Sequence, residues 1–413
     1  MIKTRNVLFA LFILLLIAVG GCQLLKKSTS TLEPTLDYRP SEANIQPNFF
    51  LERISATKST LHIQIPRNFL FSKKDVEYPF SALTVDTKSY VDPENPVAFD
   101  SLSFWIEPTH EDFNKTYIYQ KINLYAAEVL YWVEVTLTDT SNSIAQLYYL
   151  KLPNQNFCSK CIPYNAQTNQ PLYHYSLKPN EGFTLKCNGL KPDSILVKYS
   201  PFESFASENI GTDSSWYQRP SNQQFGNWEK DGTYSISYGD IKEEIQLNVV
   251  SKSHPVLNTP NQLIEPLRYL ASRVELTQLD TASKRKVAID NFWLRRAKNA
   301  NDARELLAKY YGRAFWANRI FTEQKPGWQT DRGKTLMLLG IPEEAYSNGR
   351  TEQWKYRNEK GKPFFVEFTD TDTISLFSNF TFSRNIPQQI EKQAVDMWNT
   401  GKPATFAQPN QKQ

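Results

Sequence analysis

Asp331 and Arg332 stand side by side in Gly327-Trp328-Gln329-Thr330-Asp331-Arg332-Gly333, between a basic aromatic helix and the apolar, strand-like run 334–339. A carboxylate in a cleft can serve as a general base or ligand, and a guanidinium beside it can hold an anion. The same residue types can also build a turn. In that reading Trp328 anchors the loop by burying its indole, and Gly327 and Gly333 supply positive φ. Asp331 then bonds turn amides in the Asx manner, and Arg332 pairs with an acid such as Asp290 or Glu323. No second acid, histidine or nucleophile lies at a spacing that demands chemistry, so the architectural reading leads. No catalytic residue is assigned.

Cysteine is the other reactive residue type. Cys22 closes Val19-Gly20-Gly21-Cys22 after an apolar run over 7–19, behind the basic residues Lys3 and Arg5. Thirteen residues are too few to span a bilayer, which needs about 20. Small residues before a cysteine match a lipoprotein signal, with cleavage after Gly21 and a lipid on the Cys22 thiol. Several acyl chains on one residue anchor a protein stably without embedding it. Cys158, Cys161 and Cys187 remain. A structural disulfide from Cys187 to one of the other two suits an oxidising compartment. Free thiols, or a Cys₃His zinc site with His174, are the alternatives. The CxxC opens no helix beside a βαβ pattern, which argues against a redox pair. The expectation is neither metal nor cofactor.

His62, His110 and His254 are far apart, with no ligand spacing. The chain has no GxSxG elbow and no phosphate- or dinucleotide-binding glycine loop, which lowers an enzymatic reading. Once Lys3 and Arg5 are removed, Lys+Arg falls from 47 to 45 against 43 acids, a net charge of +2. Such a balance implies neither a nucleic-acid binder nor an acidic solvating protein. Locally, 282–319 carries ten basic residues against Asp290, Asp302 and Glu305. That face can dock phosphates or an acidic partner, or be solvated and partly neutralised by Glu343, Glu344, Glu352, Glu359 and Glu367.

The elements that must position these residues follow in order. After a signal peptide at 1–21, residues 22–47 hold Ser28-Thr29-Ser30-Thr31 and three prolines, the composition of a flexible tether. Alternating, β-branched runs such as 60–65, 102–106 and 129–138 predict a β-sandwich over 48–153. The runs at 183–187, 194–199, 234–238 and a closing edge strand at 244–249 predict a second, immunoglobulin-like sandwich over 154–252. From 253 the period becomes helical, at 282–298 and 302–323, with Asn301 as N-cap and Gly312 suggesting a close neighbour. Strands at 364–368 and 374–382 and a helix at 386–398 complete an α+β domain over 253–403, before a disordered tail at 404–413.

Several linked segments also resemble a known family. The heptapeptide resembles the signature of GWxTD domain-containing lipoproteins of the Bacteroidota type. Phe292-Trp293-Leu294, Tyr310-Tyr311 with Arg313, and Ala317-Asn318-Arg319-Ile320-Phe321 resemble further family elements. Gly340-Ile341-Pro342, Trp354-Lys355-Tyr356 and Ala394-Val395-Asp396-Met397-Trp398 do likewise. The likeness implies a domain and a cell address but no catalytic activity. The resulting expectation is a lipoprotein held through Cys22 on the periplasmic face of the outer membrane. It would act as a non-enzymatic binding or scaffold module with a protein partner in the envelope. The alternative is an envelope hydrolase in which Asp331, Arg332 and the acids over 343–367 line a cleft.

Overall fold

The computed structural model describes residues 36–38, 47–70, 82–109, 111–112, 115–140, 144–154, 161–187, 192–202, 213–238, 244–322, 325–373 and 378–403. Cys22, Cys158, His110 and the tail at 404–413 lie outside these residues. All-β units come first and a helix-plus-strand unit last.

The first unit packs two antiparallel sheets on one core. β1 (Asn48–Arg53), β2 (Lys58–Pro66) and β5 (Tyr117–Tyr125) form one sheet in the order β1-β2-β5. β3 (Leu83–Tyr90), β4 (Asp100–Ile106), β6 (Tyr131–Asp139) and β7 (Ile144–Leu152) form the other, in the order β4-β3-β6-β7. Leu61, Ile63, Val85, Val133 and Val135 meet between them, as alternation places every second residue on one face. β2 is buried on both faces, not half-buried as its pattern predicts. Its outward His62 is 2% exposed and sits 2.9 Å from the Glu52 carboxylate, which also accepts from the Tyr164 hydroxyl of the next unit. β1 is shared: Leu51 enters the first core and Phe50 the second.

The second unit pairs β8 (Cys161–Asn165), β10 (Gly182–Cys187) and β13 (Phe225–Gly226) in one sheet. Its other sheet has the order β12-β11-β14-β15-β9, from β9 (Ser176–Leu177), β11 (Ile195–Ser200), β12 (Ser214–Gln218), β14 (Gly232–Ser237) and β15 (Ile245–Val249). The expected closing edge strand is therefore internal, because β9 pairs with β15 in parallel. Trp228 is buried, stacked on Tyr234 and packed against Phe183. Cys161 is bonded to Cys187. The two cysteines face each other across β8 and β10, so this disulfide lies within one sheet. An immunoglobulin pattern would place it between the sheets. The pairing also removes two thiolates from the alternative zinc set, and His174 is elsewhere, 3.1 Å from the Asn48 side chain.

The third unit lays helices on an antiparallel meander. The helices are α1 (Pro260–Ile264), α2 (Arg273–Thr281), α3 (Arg285–Leu294), α4 (Ala300–Phe321), α5 (Asp331–Leu339) and α6 (Gln388–Asn399). The strands β16 (Glu344–Ser347), β17 (Thr351–Arg357), β18 (Pro363–Asp370) and β19 (Phe380–Arg384) pair in sequence order. Two sequence expectations change here. Asn299, not Asn301, caps α4, its side chain accepting from the amides of Asn301 and Asp302. The run 334–339 is helical instead of strand-like: α5 is buried nearly all round, which hides any period.

A buried ion pair joins the first unit to the third. Lys151 of β7 contacts Asp370 of β18 at 2.8 Å, with both side chains almost wholly covered. Removing one member strands the other charge. Lys151→Met is therefore expected to destabilise the chain by about 3–5 kcal/mol, measured by denaturant unfolding.

Candidate functional site

The heptapeptide forms a single 3₁₀ turn over Gly327–Gln329 followed directly by α5. Thr330 is the N-cap: its hydroxyl accepts from the Gly333 amide at 2.9 Å and donates to the Gly327 carbonyl at 2.7 Å. The capping expected of Asp331 thus falls to its neighbour. Asp331 occupies the first turn of α5, where a negative charge favours the helix dipole. Its carboxylate accepts instead from the Phe382 amide of β19, at 2.8 Å.

Neither Gly327 nor Gly333 has positive φ. Their role is close approach. A Cβ on Gly327 would lie 2.0 Å from the Ala317 carbonyl oxygen of α4, and one on Gly333 would lie 1.9 Å from the Gly327 oxygen. The turn is pressed backbone-to-backbone onto α4. Gly312 is the reverse case: a Cβ there meets nothing within 4 Å, so the close neighbour expected from sequence is not found.

α4 presents matching groups to the turn. The Asn318 carbonyl accepts from the Trp328 amide at 3.3 Å, while its NH₂ donates to the Pro255 carbonyl at 3.2 Å. Thr322 accepts from the Gly327 amide at 2.9 Å. Trp328 is 3% exposed, edge-on to Tyr269, whose hydroxyl donates to the Trp328 carbonyl at 3.0 Å. Burial, and then the Asp331 carboxylate, hold the Tyr269 phenol well above its usual range, so it remains a donor. Arg313 caps the far end of α5 through the carbonyls of Met337 and Leu338, beside Gly340 at φ +85.

Arg332 points inward. It is 8% exposed and bonds Glu352 of β17, itself 4% exposed, at 2.7 Å. Of the partners expected from sequence, Asp290 is not the acid that Arg332 takes here, and Glu323 lies outside the described residues. The guanidinium also lies over the rings of Phe321 and Phe380, 4.7 and 4.1 Å from their centroids. The second Glu352 oxygen accepts from the Trp354 indole at 3.1 Å and from the Tyr38 hydroxyl at 2.8 Å. Burial first, then the Glu352 carboxylate, push the Tyr38 phenol well up, so it too stays protonated.

Tyr38 corrects the reading of 22–47 as a featureless tether. Leu36 forms a bridge to Ala345 on β16, and the Tyr38 carbonyl accepts from the Trp316 indole at 2.7 Å. Its ring packs on Phe321 and Trp354. Residues 36–38 are thus a strap across the third unit. Sequence reasoning missed Asn318, Thr322 and Tyr38, of which only Asn318 lay inside a segment already singled out; Glu352 was singled out as an offsetting acid but not as the partner of Arg332.

Three of the acids expected to offset the basic stretch 282–319 pair within the sheet instead, and Glu352 pairs with Arg332. Glu343 pairs with Arg357, Glu344 with Lys355, and Glu367 with Arg384. Among the described residues, no three His, Cys, Asp or Glu side chains gather as a metal-holding group.

Residues 232–400 match the family model of the GWxTD domain, and the chain is a GWxTD domain-containing protein. The match starts at β14, upstream of the boundary at 253 drawn from periodicity, and runs through α6. No curated protein matches the chain.

Two mutational outcomes test this geometry. Arg332→Met leaves the Glu352 charge buried and is expected to cost about 3–5 kcal/mol. Adding Glu352→Gln should recover more than additivity allows, by about 1 kcal/mol or more in a double-mutant cycle. Gly333→Ala should cost at least about 3 kcal/mol or abolish folding. Gly312→Ala, in open space on the same helical layer, should stabilise by about 0.5–1 kcal/mol; thermal unfolding separates the two.

Proposed function

We propose that this GWxTD domain-containing protein is a lipoprotein of the outer membrane, held through Cys22 at the periplasmic face, and that it serves as a non-enzymatic binding or scaffold module of a cell-envelope complex. The observation that carries the non-enzymatic reading is the engagement of the signature residues inside the fold. Asp331 accepts from a strand amide, Arg332 is paired with buried Glu352, and Trp328 is covered. A general base must face its substrate, whereas Trp328 and Arg332 face the core and the half-buried Asp331 is turned onto β19.

The anchor reading rests on the basic start, the apolar run over 7–19 and the small residues before Cys22. Thirteen apolar residues suit a cleaved signal better than a span. Among the described residues no helix is long and apolar enough to cross a membrane. The tandem β units present broad surfaces for a protein partner, and neither nucleic acid nor a cofactor enters this reading.

Two variants test it. The mature N-terminus of the parent chain should carry the acyl mass on Cys22, and Cys22→Ala should abolish both that mass and the lipid-anchored membrane fraction. Asp331→Asn retains an acceptor for the Phe382 amide, so its stability loss should stay within about 1.5 kcal/mol. It should also recover the same stoichiometric partner from detergent-solubilised membranes as the parent chain. A folded Asp331→Asn protein that loses its envelope function would favour the hydrolase reading.

A further inference from the structure

The bases of the helical layer divide into two populations. Arg296 is buried, donating to Glu275, Asn399 and the Phe292 carbonyl, and Arg313 caps α5. Lys284, Lys286 and Lys298 are exposed, and no ion pair joins them to a described residue. Arg295 reaches Glu275 only at 3.8 Å, because Arg296 holds that carboxylate at 2.9 Å. Between these cations, on the outward face of α3, Val287 is 50% exposed and Leu294 45% exposed. Val287, Asn291 and Leu294 recur at intervals of four and three, so they follow one side of α3, with Lys284 at its N-cap and Lys298 in the bend beyond its C-terminus. Asp290 is the exposed acid of that helix.

Lysines interleaved with exposed aliphatic side chains suit a surface that is anionic at its rim and apolar just beneath, which is the headgroup region of a bilayer. An acidic protein partner would satisfy the cations but not Val287 and Leu294. Chain geometry supports the same occupant. The strap fixes residues 36–38 to the third unit, through Trp316 of α4 and Ala345 of β16. The 13 peptide units between Cys22 and Thr35 extend to about 45 Å at most. A domain of this size has a diameter of about 40 Å. A lipid at Cys22 therefore keeps the helical layer within reach of the leaflet that holds it. The long lever of an unstrapped tether would not.

We propose that the outward face of α3, with Lys284, Lys286, Val287, Leu294, Arg295 and Lys298, docks on the anionic phospholipid headgroups of the leaflet that carries the anchor. The reach argument rests on the Cys22 anchor of the preceding section; the charge and aliphatic pattern does not.

Co-sedimentation of the full-length protein with vesicles tests the surface, using phosphatidylcholine alone or with one-third phosphatidylglycerol. Binding of the unlipidated mature chain from Gln23 onward, which lacks both the signal segment and Cys22, compared between the two vesicle types, removes the acyl contribution. Phosphatidylglycerol should raise partitioning at least tenfold at low salt, and 0.5 M salt should abolish the gain. The Lys284→Glu/Lys286→Glu/Lys298→Glu variant should lose roughly a hundredfold, at about fivefold per cation removed. With the lipidated chain, amide exchange over Arg285–Leu294 should slow on phosphatidylglycerol vesicles and not on phosphatidylcholine. Equal partitioning to both vesicle types, an unaffected charge-reversed variant, or binding only to vesicles carrying lipopolysaccharide would overturn the proposal. The acyl mass at Cys22 is read separately, so failure of the anchor and failure of the surface are distinct results.

Discussion

The third unit depends on the distance between two stretches of backbone. Gly327 sits so near the Ala317 carbonyl, and Gly333 so near Gly327, that neither site has room for a single carbon. That approach brings the start of α5 onto the flank of α4. It fixes which way the next residues point: Trp328 and Arg332 inward, Asp331 toward β19. Hydrogen bonds from Asn318, Thr322 and Thr330 then hold the amides and carbonyls that the tight packing removes from water. A turn built on positive φ would tolerate asparagine at such positions. A turn built on contact tolerates only glycine.

The inward turn of Arg332 creates a cost that the fold must offset. A guanidinium and a carboxylate withdrawn from water lose several kcal/mol of hydration each, and their attraction compensates only with further hydrogen bonds. Glu352 receives them from Tyr38 and Trp354, while Phe321 and Phe380 cover the guanidinium. Five chain segments therefore meet at one pair: the strap, α4, the start of α5, β17 and β19. An apolar cluster would tolerate slippage among them. A buried pair with directed donors does not, which gives the strap one register on the sheet edge.

How much of this was legible depends on the range of the interaction. β2, β6, β10 and β14 announced themselves because alternation is local, and the change from strands to helices near 253 was visible as a change of period. The helical character of 334–339 was not, since an apolar run of that length carries no period when all its faces are covered. Close approach at Gly327 depends on Ala317, ten residues away, and at Gly333 on Gly327, so sequence offers positive φ as the default explanation of a glycine. Glu352 lies 20 residues beyond Arg332 and across a strand, where nothing in spacing selects it over Asp290 or Glu323. Tyr38 was hidden by averaging: one aromatic in a stretch rich in proline and small polar residues leaves the composition that of a tether.

The direction in which the signature faces bears on where function resides. Groups prepared for chemistry combine perturbed protonation with access to a substrate. In this chain the perturbed phenols, Tyr38 and Tyr269, are raised by burial and act as donors to Glu352 and to the Trp328 carbonyl, within the packed core. A signature used in this way constrains shape and leaves the outer surfaces free to vary with partner or membrane. The differences that matter between proteins sharing it would then lie on faces such as that of α3 and on the β units, while the heptapeptide keeps one job: holding turn, strap and sheet in a single arrangement. The strap belongs to the same arrangement, because the Tyr38 hydroxyl ties residues 36–38 to the buried pair that orders the domain.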